Sequence, residues 1–372
     1  MLSPLQQATQ ALQKNNRLLI ILPENLNGDA LGCALALNEA FKNSGKKIDI
    51  VCAGEIPEKL KFLIDQEIIK DKLTPWRDFI ISIDTSVNKI SRLRYENNSG
   101  TLKIFLTTPQ KVEEKDVRLE SGQFFYDLII TLDAPDLESL GRVFEENTEL
   151  FFNKPILNID HQSSNEYFGE INLVEPTAAS CSQIINNLLG ELKITPTEKI
   201  ATGLLCGLIV KTQSFQNNKT TPQALNLASF LINQGANQEK IIYNLYKSKP
   251  LNKLRLWGRL LGRLDFDEQR KIAWLLSQPD DFTQTQSTTS DLPFVAEEIF
   301  ETFPQVELTF LLWLDENDTL AALAQARQIE LLQKINIELG GTIKNDKLLI
   351  KTPYTDVSAL KDQINSLLSS NF

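Results

Sequence analysis

Three short apolar runs of this 372-residue chain end on an aspartate: Phe79-Ile-Ile-Ser-Ile-Asp84, Leu128-Ile-Ile-Thr-Leu-Asp133 and Pro155-Ile-Leu-Asn-Ile-Asp160. Runs of this length read as strands. Open parallel sheets place their sites at strand C-termini, so Asp84, Asp133 and Asp160 are candidates for a shared carboxylate site. Aspartate after a strand also serves as an ordinary helix N-cap, and the pattern alone supports the two readings about equally. His161 follows Asp160 directly and is the only histidine of the chain. A single imidazole excludes every metal site that needs paired histidines.

The elements that must position these residues alternate in type. The run 18–22 (LLIIL) ends in a turn from Pro23 to Gly28, a helical pattern starts at Asp29 and stops at Gly45, and Lys47 to Val51 reads as the next strand. This strand, helix, strand order builds a parallel sheet. Ser91 to Thr108 reads as a β-hairpin turning at Asn97-Asn98-Ser99-Gly100. Residues 176–190, 196–210 and 221–234 read as helices, the last opened by Thr-Pro. A helix over 239–263 is expected to link two lobes, followed by a polar loop over 279–291. Beyond it, strand 307–314, helix 320–339, strand 347–351 and a terminal helix complete the chain. The expected fold is therefore α/β: an open, mostly parallel sheet flanked by helices, a helical linker, and a second, smaller α/β lobe.

Composition agrees with a soluble globular protein, 42% hydrophobic and 23% charged, and the length suggests two domains. The longest apolar stretch, Ala201 to Val210, is too short to cross a bilayer, so no membrane association is expected. The first residues lack a basic region followed by an apolar run, so no signal peptide is expected. Cys33, Cys52, Cys181 and Cys206 are scattered and read as buried thiols of a reducing compartment, with the cytoplasm as the expected location. A net charge of −10 argues against generic nucleic-acid binding, which needs clustered cations. Lys59, Lys61, Lys247, Lys249, Lys253, Arg255, Arg259 and Arg263 could line a local basic groove, although solvated helix faces are the commoner reason for such residues.

Five segments, taken in order, resemble the motifs of DHH-family phosphoesterases of the RecJ-like and oligoribonuclease-like branch. They are Asn25 to Gly32 (NLNGDALG), Leu128 to Gly141 (LIITLDAPDLESLG), Asn158-Ile-Asp160-His161-Gln162, Asn165 to Ser180, and Gly207 to Phe215 with Thr220-Thr-Pro222. The agreement covers roughly residues 15–246. It implies a DHH phosphoesterase-like domain over 1–246, with a linker helix and a fainter DHH-associated, substrate-lobe-like α/β domain over 247–372.

The resemblance implies phosphodiester hydrolysis by two divalent cations held in a cluster of carboxylates and imidazoles. Asp29, Asp133, Asp160 and His161 occupy retained positions of that pattern. Four other positions depart from it: Pro23 and Gln162 stand where the family has histidine, and Asn27 and Lys211 where it has aspartate. An ammonium cannot ligate a cation, so Lys211 is expected to act instead as an internal counter-ion among Asp29, Asp133 and Asp160, the alternative being that it swings out to solvent. The family's glycine-rich, histidine-bearing substrate loop is reduced to Gly340-Gly-Thr-Ile-Lys344, which also fits a simple C-cap and turn.

These departures lead to the expectation of a non-catalytic binding protein that needs no cofactor. The alternative is a slow hydrolase with one Mn²⁺ or Mg²⁺ held by Asp29, Asp133 and His161, Asp160 orienting the imidazole. The implied partners are a short nucleotide or single-stranded nucleic-acid end in the interlobe cleft, or another protein. For the latter, the 91–108 hairpin with Arg92, Arg94 and Lys103 offers a surface, unless it is a plain elaboration of the fold. No substrate-binding residue can be named from the sequence.

Overall fold

The computed structural model describes residues 2–369 apart from 65–67, 74–76, 87–88, 99, 315–318, 345–346 and 352–356. The chain divides into two units, Met1–Leu245 and Tyr246–Phe372. The first opens with α1 (Pro4–Lys14), β1 (Arg17–Ile21), α2 (Gly28–Phe41), β2 (Lys47–Val51) and the short β3 (Ile69–Lys70). Four strands of a separate region follow: β4 (Arg77–Ile83), β5 (Arg92–Asn98), β6 (Thr101–Thr107) and β7 (Val117–Phe124). The chain then returns as β8 (Leu128–Leu132), α3 (Arg142–Glu145), α4 (Thr148–Asn153), β9 (Ile156–Asp160) and β10 (Ile171–Val174). Four helices close the unit: α5 (Cys181–Glu191), α6 (Glu198–Lys211), α7 (Pro222–Asn233) and α8 (Gln238–Ile242).

Six of these strands form one parallel sheet in the order β10-β9-β8-β1-β2-β3. Its central strands β8, β1 and β9 are apolar at most positions because both faces are covered. Leu18, Ile20, Leu128 and Ile130 join a core with α1, α2, α5 and α6. Leu19, Ile21 and Ile129 face the other way, toward Val143, Leu150 and Phe151 of α3 and α4.

The second unit contains α9 (Leu251–Leu261), β11 (Asp265–Asp267), β12 (Ile272–Leu276), α10 (Pro279–Thr285), α11 (Leu292–Thr302), β13 (Leu308–Leu314) and β14 (Leu320–Ala326). It ends with α12 (Ile329–Leu339), β15 (Thr342–Lys344), β16 (Lys347–Lys351) and α13 (Val357–Ser369). The sheet runs β11-β12-β13-β14-β16-β15, with only β12 and β13 parallel. One face packs on α12 and α13 through Phe310, Ala322, Leu332, Ile335, Leu360 and Ile364. The other packs on α9 and α11 through Leu311, Leu323, Leu256, Leu260 and Val295. The chain is thus α/β, as expected, with a second sheet domain. No helix among the described residues is long and apolar enough to cross a membrane.

Four local expectations need correction. The run 79–84 is no strand of the main sheet: β4 pairs antiparallel with β7 in a two-stranded ribbon, because an apolar run does not specify its neighbour. Residues 320–326 are strand, not helix. Their Ala and Leu favour helix in isolation, but seven pairings with β13 at mostly buried positions override that preference. The segment 279–291 is not a loop, because Pro279 at N1 and a Gln278/Asp281 capping box start α10. Residues 239–263 are not one helix, because Pro250 separates the turns after α8 from α9. The hairpin over 91–108 is present as β5 paired with β6, its turn residue Ser99 lying outside the described residues. Gly340 and Gly341 form the turn between α12 and β15, with the Gly340 amide donating to the Asn336 carbonyl.

Candidate active site

The loop after β1 carries Asn27, which caps α2: its Oδ1 accepts from the amides of Asp29 at 2.9 Å and Ala30 at 3.1 Å. Asp29, in the first turn of α2, is completely buried and aimed at the start of α5. There its Oδ2 accepts from the Cys181 amide at 2.7 Å, and its Oδ1 from the Ser182 amide at 3.0 Å and hydroxyl at 2.6 Å. A carboxylate at a helix N-terminus is electrostatically favoured. The approach is possible because α2 and α6 cross at glycines. A Cβ on Gly32 would lie 2.1 Å from the Gly203 carbonyl oxygen, and one on Gly207 would lie 2.4 Å from Asp29 Oδ1. This crossing brings Lys211, the last residue of α6, to the site.

Asp133 follows β8 in a left-handed conformation with φ 56°. Its carboxylate is buried, and Lys211 Nζ bridges both oxygens at 2.9 and 2.8 Å. Asn27 Nδ2 donates to Oδ2 at 2.6 Å. Asp160, at the end of β9, is satisfied by different donors: the amides of His161 and Gln162 on Oδ1, and Asn165 Nδ2 on Oδ2 at 2.7 Å. It therefore binds the backbone of His161 and does not orient the imidazole. Both ring nitrogens of His161 are buried without a hydrogen-bond partner, and Nε2 lies 3.4 Å from Asp133 Oδ1, near it but out of line for a bond.

The structure brings Asp29, Asp133, His161 and Lys211 together, with Asn27 and Gln162 beside them. Gln162 Nε2 reaches the Asp133 carbonyl at 3.3 Å. Pro23 contributes only its carbonyl, to the Cys52 thiol. Asp84 belongs to the separate ribbon and is exposed. Lys211 points to Asp133 and not to solvent. It does not bridge all three aspartates as expected, because Asp29 and Asp160 take their hydrogen bonds from other donors. Of the basic residues that could have lined a groove, Lys61 pairs with Glu58, Lys249 with Glu298, and Lys253 with Asp291. Arg259 and Arg263 share the buried carboxylate of Asp281, so these cations serve internal pairs.

Charge follows this geometry. Burial, then the neighbouring Asp133, pushes the Asp29 carboxyl above its ordinary range. Burial acts on Asp133 in the same sense, but the His161 ring, the Lys211 ammonium and the Asn27 amide outweigh it and hold that carboxyl low. Burial opposes the Lys211 ammonium, yet Asp133 and Asp29 hold its pKa above the ordinary lysine value.

Sequence reasoning missed Cys181, whose thiol lies 3.7 Å from Asp133 Oδ1, and the Asn158–Asn165–Asp160 chain of hydrogen bonds. It also missed the helix crossing, although Gly28/Gly32 and Gly203/Gly207, each four apart and so on one helix face, were visible signals. One atom each from Asp29, Asp133, His161 and Cys181 lie within 4.8 Å of one another. This set does not fit two divalent cations. The oxygens of Asp29 already accept from three N–H and O–H donors, and both oxygens of Asp133 face an ammonium that a cation would have to displace.

The DHH family N-terminal domain matches residues 17–208. The bifunctional oligoribonuclease and PAP phosphatase NrnA of Thermus thermophilus is 32% identical over 136 residues, 37% of this chain and 40% of that protein. An uncharacterized protein of Mycoplasma pneumoniae, the MG371 homolog, is 26% identical over 34% of this chain and 38% of its own length. The matched stretch thus spans about two fifths of these curated relatives. Among solved structures, an exopolyphosphatase-related protein of Bacteroides fragilis superposes with a TM-score of 0.67 at 15% identity, covering 98% of this chain and 96% of its own. CDC45 of Entamoeba histolytica superposes at 0.51 with 10% identity, over 97% and 96%. Fold, motif order and the family match, which takes in just over half of the residues, agree: the chain belongs to the DHH family.

Proposed function

We propose that this chain is a catalytically silent DHH-family phosphoesterase, kept as a binding module for a short nucleotide or single-stranded nucleic-acid end. The observation that carries the reading is the Lys211 ammonium seated across both oxygens of Asp133. Two-cation phosphodiester hydrolysis needs metal charge at the carboxylates to activate water and neutralise the leaving oxygen. Lys211 supplies one positive charge there but no coordination site and no bound water to ionise. The ligand class is inherited from the Thermus relative, whose name describes action on oligoribonucleotides and PAP.

A second reading is a slow one-cation hydrolase using Mn²⁺ or Mg²⁺, favoured by the compact Asp29, Asp133, His161 and Cys181 cluster. Calorimetric titration of Mn²⁺ into metal-stripped protein separates the two, alongside a Lys211→Asp/Gln162→His variant. The proposal expects no binding by the natural chain and restored binding in the variant. Micromolar binding by the natural chain, accompanied by hydrolysis of short oligoribonucleotides, would establish the second reading instead.

A further inference from the structure

We propose that the outer face of α9 binds a single-stranded oligonucleotide along its phosphates. Residues Lys247 to Arg263 hold six cations and no acidic residue, in a chain whose net charge is −10. Leu256 and Leu260 turn one side of α9 to the core. Arg255, Gly258 and Gly262 are exposed, and the side chains of Arg259 and Arg263 reach solvent over 37% and 35% of their area. Arg255 and Arg259 lie one turn apart, about 6 Å along the axis, and Arg263 continues their row just past the helix end.

Two of the three guanidiniums are fixed in advance. Asp281, completely buried in the first turn of α10, accepts from Arg259 Nε at 2.9 Å and from Arg263 Nη1 and Nη2 at 2.7 Å each. Both Nη groups of Arg259 are left without a hydrogen-bond partner, and Arg255 has neither an ion pair nor a hydrogen bond among the described residues. Three guanidiniums against one carboxylate leave two positive charges on this face. Planar forks suit phosphate, and side chains ordered beforehand lose less entropy on binding.

Gly258 indicates which kind of polyanion fits. It sits inside α9, where glycine weakens a helix relative to alanine, and a Cβ there would meet nothing within 4 Å. No packing among the described residues therefore requires glycine at this position. An acidic peptide reaches a cation with the ends of its side chains. A nucleic acid carries its charge in its own backbone, so the whole strand has to come down onto the helix. A surface without a Cβ between Arg255 and Arg259 admits that approach, and bases can lie flat on guanidinium planes. The inference extends the ligand class proposed above, but this face shares no residue with the carboxylate site.

Fluorescence anisotropy of a labelled uridine dodecamer with the full chain, at about 50 mM salt, tests this. The natural chain should bind with a Kd that weakens as salt rises. Arg255→Gln, which removes a side chain with no partner in the fold, should weaken binding about tenfold and lower the log–log salt slope by about 0.7. Gly258→Gln should weaken binding while raising the melting temperature, since glutamine is the better helix former. Loss of affinity in a more stable protein is not unfolding. Arg92→Gln, which removes an exposed cation of the first unit, should bind as the natural chain does. Unchanged affinity in both α9 variants, or an equal loss in Arg92→Gln, would overturn the proposal. Binding of inorganic polyphosphate but not of the dodecamer would overturn the nucleic-acid assignment. No binding of the dodecamer by the natural chain would overturn the role of this face, while calorimetry with Mn²⁺ still decides the carboxylate site.

Discussion

Lys211 contacts Asp133 and feels the charge of Asp29, two aspartates whose pKa values are displaced in opposite directions. Its contact with buried Asp133 is a pair whose partner, left alone, would be an uncompensated charge. Lys211→Met should therefore cost about 3 kcal/mol at neutral pH in urea unfolding, and adding Asp133→Asn should recover part of the loss. The pH dependence follows from the shifts. Asp133 is depressed, so its contribution is present above the ordinary carboxylate value of about 4 and is lost as pH falls through its lower folded pKa. Lys211 is raised, so its contribution is full below about pH 10.5 and is lost as pH rises through its higher folded pKa. Asp29 is raised and acts against stability as pH climbs from about 4. Comparison of the natural chain with Lys211→Met should show a steeper alkaline loss in the natural chain; parallel curves would remove the counter-ion role.

At the scale of elements, the site is set by how closely α2 approaches α6. The two glycines at the crossing are not equivalent: a Cβ on Gly32 meets the Gly203 carbonyl oxygen at 2.1 Å, whereas one on Gly203 meets the Gly32 carbonyl oxygen at 2.9 Å. Gly32→Ala should lower stability by about 3 kcal/mol and Gly203→Ala by about 1 kcal/mol, read from thermal melts. The order matters more than the values, and reversed costs would contradict the crossing. After α6 the chain makes a left-handed turn through Gln213, Ser214 and Phe215, with φ of 48°, 58° and 65°. Such conformations cost about 1–2 kcal/mol per non-glycine residue and persist where surrounding structure enforces them. Together with the left-handed Asp133, they place two such backbone segments on either side of the Asp133–Lys211 pair.

For the whole molecule, family membership and the architecture of the first unit were legible in residue order. Asp133 and Asp160 do end neighbouring parallel strands, because continuous apolar runs mark strands buried on both faces. Asp84 misled for the same reason, since the run before it is equally apolar yet pairs in an exposed ribbon. The Ala- and Leu-rich strand β14 was hidden by helix preference, and the Asn158–Asn165–Asp160 hydrogen bonds by the lack of any local signal for side chains that meet only after folding. Lys211 was placed by the resemblance, its partner by the helix crossing. A site closed by its own ammonium should not couple metal to folding. In 1 mM MnCl₂ the natural chain's melting temperature should stay unchanged, while that of Lys211→Asp/Gln162→His should rise, since a ligand at a hundred times its Kd adds about 2.7 kcal/mol. A rise in the natural chain would indicate a functioning metal site.

The chain has one histidine, and it sits in the middle of the carboxylate cluster with both ring nitrogens unbonded. Isotopic labelling of histidine would therefore place a single pair of imidazole ¹⁵N resonances at the site and none elsewhere. Those two lines would register tautomer exchange, a bound diamagnetic ion such as Zn²⁺ or the release of Lys211 from Asp133 without any introduced tag, which makes His161 a native spectroscopic reporter of the site.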